Sequence, residues 1–248
     1  MKEYYFLTGL PRSGNTLLGS LINQNPKVSV TANTILTDVI YQLHLLKDYQ
    51  IYKNFPDENS LNNIIKNVFN NYYQDWKANN IIDRGAWGTP DNLYFLKSII
   101  KKPKFIILYR PVLECLASFI KIEKPINVEE KCHELMENEG MIGKTLWSIK
   151  NIIKEKENYI IIKYSDLINE PLNQINKIYK FLKIDNFNHT FNNFNDFSTN
   201  NIKYDDSVLN APLHKIRTDK IELNNYKIED YLPANIIKQY SNLDIWKY

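Results

Sequence analysis

The chain has 248 residues, 44% of them hydrophobic and 24% charged, which is enough to bury a core without staples and argues against disorder. Lys plus Arg at 31 against Asp plus Glu at 28 leave a net charge of only +3, which does not support a dedicated nucleic-acid binder, although a local cationic pocket can hide inside a neutral total. Cys115 and Cys132 make no disulfide framework and lack zinc-ligand spacing, and no apolar run approaches the ~20 residues of a membrane helix.

Short apolar runs bounded by turn residues predict buried strands at 4–8, 81–83, 105–109 and 159–163. Helix-period segments lie between them. Leu17, Leu18, Leu21 and Ile22 share one helical face after the first strand. Helices are expected at about 35–47, 59–78 and 89–101. Leu113, Leu116, Phe119 and Ile120 share a face after the third strand, and further helices are expected at about 128–154 and 172–183. From 185 to 228 the periodicity fails in Asn- and Asp-rich sequence, a length that marks either disorder or a loop layer over a site. A short helix near 233–240 and Trp246 close the chain. Strand alternating with helix predicts an α/β fold, with a central parallel sheet covered by helices on both sides, in a single domain over 1–248. Residues 1–9 carry no signal-peptide pattern, so a soluble, cytoplasmic protein without a membrane span is expected.

The strongest chemical signal is Gly9-Leu-Pro-Arg-Ser-Gly14-Asn15-Thr16, between a predicted strand and an amphipathic helix. Its G-x-x-x-x-G spacing is that of a P-loop, where backbone N–H groups and a helix N-terminus converge on an anion. A nucleoside-triphosphate loop needs Lys next, and Asn15 stands there instead. The cation sits three residues earlier, as Arg12. A triphosphate with its metal is poorly matched by such a loop. A phosphosulfate carries less charge and suits Arg12, backbone amides and the Ser13 and Thr16 hydroxyls without metal.

The segment Gly-Leu-Pro-Arg-Ser-Gly-Asn-Thr-Leu-Leu resembles the 5′-phosphosulfate loop of sulfotransferases that use 3′-phosphoadenosine 5′-phosphosulfate (PAPS). It is nearest the Pro-Arg-Ser-Gly-Thr-Thr form of tyrosylprotein, glycan and bacterial members, and Asn15 departs from the usual Thr. The resemblance assigns Arg12, Ser13, Gly14, Asn15 and Thr16 to the 5′-phosphosulfate. Phe105-Ile-Ile-Leu-Tyr-Arg110 ends a strand on an arginine, and Ser118 follows eight residues later. Spacing shows only that both can face one crevice at the carboxyl end of the sheet. By resemblance, Arg110 and Ser118 form the 3′-phosphate site, the feature that separates PAPS from ATP. Lys163-Tyr164-Ser-Asp-Leu167, with Pro171 after it, resembles a family segment that would bring Tyr164 to the adenine.

Sulfuryl transfer is an in-line displacement that needs positioning and cations, and preferably a base, which an acidic acceptor or the substrate itself can make unnecessary. Arg12 is one cation. Arg84, in Ile82-Asp83-Arg84, resembles a family position where Lys stabilises the leaving group. The base is less legible. Tyrosylprotein-like members place a glutamate where this chain has Ala32, Asn33 and Thr34, so Asp38 ranks first, with His44 and the His133/Glu137 pair behind it. The cluster Leu213-His214-Lys215-Ile216-Arg217 offers Lys215 and Arg217 to a 3′-phosphate, as in family members that close a basic late loop over it. Tyr41, Tyr49, Trp87 and Trp147 are candidates for an acceptor cleft.

The expected activity is therefore transfer of a sulfo group from PAPS to a hydroxyl-bearing acceptor, whether carbohydrate, lipid, small molecule or peptide, with adenosine 3′,5′-bisphosphate as the other product. Two other readings stand beside it. One is a P-loop kinase, disfavoured by Asn15 and by the lack of an obvious apolar strand ending in an acidic Mg²⁺ ligand. The other is a binding protein that keeps the fold without catalysis.

Overall fold

The computed structural model describes residues 2–209, 211–222, 227–243 and 245. Trp246 lies outside them, as do Asn210 and residues 223–226 of the irregular late stretch. Five strands form one fully parallel sheet: β1 (Glu3–Gly9), β2 (Val28–Asn33), β3 (Asn80–Arg84), β4 (Lys104–Tyr109) and β5 (Asn158–Lys163), in the order β2-β3-β1-β4-β5. β1 pairs on one side with β3, with Phe6 opposite Asp83, and on the other with β4, with Phe6 opposite Phe105.

The central strands are apolar on both faces because both faces are covered. Phe6, Ile81, Phe105 and Ile107 point into one core, and Tyr5, Leu7, Ile82, Ile106, Leu108 and Ile162 into the other. The first core is closed by α2 (Leu36–Leu45), α4 (Glu58–Tyr72), α5 (Pro90–Ile99), α6 (Val112–Glu123), α7 (Val128–Met136) and α8 (Met141–Lys154). The second lies under α1 (Asn15–Ile22), α9 (Tyr164–Asn169) and α10 (Pro171–Leu182). A short α3 (Gln50–Asn54) and a terminal α11 (Ala234–Tyr240) complete the helices of the described residues. Local chemistry marks several starts. Asp57 Oδ1 accepts from the Ser60 N–H at 3.1 Å, Asn127 Oδ1 from the Glu130 N–H at 3.2 Å, and Pro90 and Pro171 open their helices.

The structure departs from the sequence reading in several places. β2 is an additional strand at the sheet edge. The helix expected at 128–154 is two, because Gly140 passes so close to the Glu134 carbonyl that a Cβ there would collide with it. The helix expected at 59–78 stops at Tyr72. The late stretch is irregular, as expected, apart from a 3₁₀ turn at Asp206–Leu209 and two isolated bridges, Asn192 with Lys220 and Thr199 with Ile202. Its described part is packed on the domain, with Phe194, Phe197 and Leu213 buried.

Candidate active site

The carboxyl ends of β1, β3 and β4 open into a cavity of about 790 Å³. Seven of its lining residues are Lys or Arg and three are Asp or Glu, so a nearly neutral chain concentrates positive charge here.

The loop from Gly9 to Gly14 forms one wall. Gly14 precedes α1 with φ 89°, a left-handed conformation that disfavours any side chain, and a Cβ there would lie 3.0 Å from the Tyr164 ring. Arg12 also has positive φ, 64°. The first turn of α1 contains no acid and receives no side-chain cap, which leaves its amides to an anion. Arg12, Gly14, Asn15 and Thr16 line the cavity. Ser13 does not. It is fully buried, and its hydroxyl donates to the carbonyls of Leu10 (2.5 Å) and Leu108 (3.2 Å). Asn15 Nδ2 donates to the carbonyls of Gly9 (3.3 Å) and Leu10 (2.8 Å), so its amide braces the loop from within. Asn15 Oδ1 is buried without a hydrogen-bond partner.

The second anchor reaches the same wall. Arg110 leaves β4 buried, donates Nε–H to Glu114 Oε2 and Nη1–H to the Arg12 carbonyl, both at 2.9 Å, and lies 4.4 Å over the Tyr164 ring. Arg12 in turn donates Nε–H to Ser118 Oγ at 3.2 Å and Nη1–H to the Leu213 carbonyl. Arg12, Arg110, Ser118 and Tyr164, drawn from three separate stretches of sequence, therefore form one contact network.

Arg84 enters from β3 and donates Nη1–H to Tyr204 Oη at 2.8 Å. Its neighbour Asp83 is an acid near the end of an apolar strand, a feature the sequence reading did not credit. Asp83 is fully buried and accepts from Thr34 Oγ1 (3.0 Å), Trp87 Nε1 (2.8 Å) and Tyr73 Oη. Burial pushes its pKa up to about 6, against the lowering effect of those three donors. It does not line the cavity.

Asp38, in the first turn of α2, lines the cavity and is exposed, and so do Lys215 and Arg217 in the late segment. The histidines weighed as bases lie elsewhere. His44 stacks on Phe95 with ring centroids 3.9 Å apart, and His133 Nδ1 sits 2.9 Å from Tyr240 Oη beside a separate groove that also includes Glu137. None of Tyr41, Tyr49, Trp87 and Trp147 lines the cavity. Sequence reading missed His214, which does line it. His214 is paired with Asp206 (Nδ1 to Oδ1, 2.5 Å) and stacked on Tyr204. Only the basic neighbours of His214 had drawn attention to that stretch.

The family model of the sulfotransferase domain matches residues 2–227. The chain belongs to the sulfotransferase family. No curated protein matches it. Among solved structures, it is similar to the sulfotransferase of Alicyclobacillus acidocaldarius, with 11% identity over 77% of this chain and 84% of that one and a TM-score of 0.51. The sulfotransferase domain of the Synechococcus PCC 7002 olefin synthase is 17% identical over 99% and 86%, with a TM-score of 0.50. The domain from the curacin biosynthetic pathway is 16% identical over 75% of each chain, also at 0.50. At these identities the likeness speaks for the fold: an α/β sulfotransferase fold with a five-stranded parallel sheet. Among the described residues, no helix is long and apolar enough to cross a membrane.

Proposed function

We propose that this sulfotransferase moves a sulfo group from PAPS to an acceptor hydroxyl by in-line displacement, working as one domain without a metal. The observation that carries the reading is the direct joining of the two anchor segments. Arg12 touches Ser118, and Arg110 touches the Arg12 carbonyl, so a cation from each segment serves one cavity. A volume of about 790 Å³ is within the range of nucleotide-sized sites, and the excess of cations fits a ligand with two anionic ends.

In this reading Arg12, Gly14 and Thr16 hold the 5′-phosphosulfate with the amides of the first turn of α1. Ser13 and Asn15 contribute by fixing the shape of the loop, since their side chains already hydrogen-bond to its carbonyls. Arg110, oriented by Glu114, and Ser118 take the 3′-phosphate, with Lys215 and Arg217 closing over it. Tyr164, one face already against Arg110, borders the adenine. Arg12 and Arg84 stabilise the charge that develops on the sulfuryl group and the leaving phosphate. PAPS supplies an activated sulfuryl group when bound. Asp38 is the proton acceptor suggested by position in the sequence; the cavity lining also holds His214 and two glutamates, Glu139 and Glu222, which are ion-paired with Lys144 and with Arg217 and Lys220. The asparagine in place of the P-loop lysine disfavours a triphosphate ligand, and Asp83, closed in by its three donors, offers no Mg²⁺ ligand to the cavity.

Calorimetry tests the donor assignment. Adenosine 3′,5′-bisphosphate in EDTA is expected to bind, and Arg110→Ala to abolish that binding. Binding of Mg²⁺-ATP alone would return the kinase reading.

A further inference from the structure

The irregular late segment delivers an imidazole to the cavity together with its own carboxylate. Asp206 holds His214 twice: Oδ1 lies 2.5 Å from Nδ1, and Oδ2 accepts the His214 backbone N–H at 3.0 Å. Tyr204 lies flat on the ring, with centroids 3.6 Å apart and planes within 3°, and its hydroxyl accepts from Arg84 Nη1. The ring is thus fixed at an edge, along a face and through the backbone. Burial works against ionisation of Asp206, but the His214 hydrogen bonds and the field of Arg12 outweigh it and hold its pKa below the ordinary value. An ionised carboxylate only accepts, so the ring hydrogen sits on Nδ1 and the lone pair of the neutral ring is at Nε2. Nε2 hydrogen-bonds to none of the described residues.

We propose that His214 is the general base of this enzyme, with Nε2 receiving the proton of the acceptor hydroxyl and Asp206 as its positioning residue. The proposal rests on the sulfotransferase reading above. As the acceptor oxygen forms its bond to sulfur, the bond from sulfur to the phosphate oxygen breaks and leaves its electron pair on that phosphate. The acceptor proton passes to Nε2, and Asp206 stabilises the imidazolium so formed. Arg12 and Arg84 supply the cations for the charge that collects on the sulfuryl group and the leaving phosphate. Asp38, the competing candidate, is exposed and makes no hydrogen bond or ion pair with any described residue, so nothing orients it.

The groups that set the titration of His214 are Asp206, Arg84 and Arg12. Burial lowers its pKa below the ordinary histidine value, Asp206 opposes the shift, and the two arginines add to it. Burial therefore favours the neutral ring that a base requires.

Two measurements on the full chain test the assignment. Two-bond ¹H–¹⁵N correlation spectra of the histidine rings need no turnover. They should show His214 with hydrogen on Nδ1 and none on Nε2 at pH 7.5, and Asp206→Asn should disturb that tautomer. Hydrolysis of PAPS, with water as the acceptor, should fall about 100-fold in His214→Asn, while affinity for adenosine 3′,5′-bisphosphate changes by less than about twofold. In Asp206→Asn the loss should be smaller, and the acid limb of the pH profile should move to lower pH, because the carboxylate that raises the imidazole pKa is gone. A purely structural Asp206 would leave that limb in place. A protonated Nε2 at pH 7.5, or native hydrolysis rates in His214→Asn together with a large loss in Asp38→Asn, would overturn the proposal in favour of Asp38. Failure of the native chain to bind the bisphosphate would sink the donor reading itself, a result separable from failure of His214 alone.

Discussion

Arg12, on the loop after β1, donates Nε–H to Ser118 Oγ on α6 at 3.2 Å, and its own carbonyl accepts from Arg110 at 2.9 Å. The residue joins the two segments proposed as anion anchors. Its fork geometry matters, since Nη1 also reaches the Leu213 carbonyl and ties the late segment to the loop.

Arg12→Lys should therefore behave as a severe change despite keeping the charge. A point ammonium cannot span Ser118 and Leu213 together, so turnover of PAPS is expected to fall about 100-fold. Ser118→Ala should weaken adenosine 3′,5′-bisphosphate about tenfold by losing one hydrogen bond to a charged group. Calorimetry and steady-state kinetics on the two variants check both values.

Gly14→Ala combines a disfavoured φ of 89° with a Cβ 3.0 Å from the Tyr164 ring. A loss of about 1–2 kcal/mol in urea-unfolding stability is expected, together with weaker bisphosphate binding. Unchanged stability would mean that the loop adopts another conformation.

Asp83 links stability to pH. Its pKa is near 6 in the folded chain against 3.8 for a free carboxyl, so the folded state binds the proton more tightly. That contribution is fully present below the unfolded value and is lost as pH rises through the folded one. Between pH 4 and pH 7 the loss amounts to about 2 kcal/mol. Asp83→Asn removes this titration, so the stability of wild type relative to the variant should fall across that window. Denaturant unfolding at both pH values reads the difference. A constant difference would show that Asp83 stays ionised throughout.

Replacing both Lys215 and Arg217 by Ala should weaken the 3′-phosphorylated nucleotide far more than its 3′-dephospho analogue. Both side chains line the cavity, and Arg217 also faces Glu222 at 3.5 Å. An equal loss for the two nucleotides would make them general surface cations.

The central part of this site was legible because its chemistry follows secondary structure. The Gly9–Gly14 turn sits between an apolar strand and a helical face, and Arg110 falls at the end of another apolar run, so periodicity places both at the same sheet edge. β2 escaped because Val28-Ser-Val-Thr-Ala-Asn is short, half polar and at the sheet edge, with a weaker pattern than the central strands. The split between α7 and α8 depends on a close backbone approach at Gly140 that no periodicity records. Asp206 and His214 escaped for a different reason. They meet within irregular chain, where no repeat relates residues eight apart, and the contact exists only because the segment folds back over the cavity.

The order β2-β3-β1-β4-β5 has a consequence for how the molecule is made. β1 is central, yet neither neighbour adjoins it in sequence, so its two apolar faces and both of its edges must wait for β3 and β4 to be synthesised and docked. On the ribosome the loop carrying Arg12 emerges long before Arg110 and Ser118 can meet it. Until then the nascent segment exposes a sticky, unpaired strand that a chaperone would recognise. Under the proposed donor assignment, bisphosphate affinity would report completion of the sheet centre as well as an intact pocket, and an early-truncated product would be expected to aggregate rather than to bind weakly.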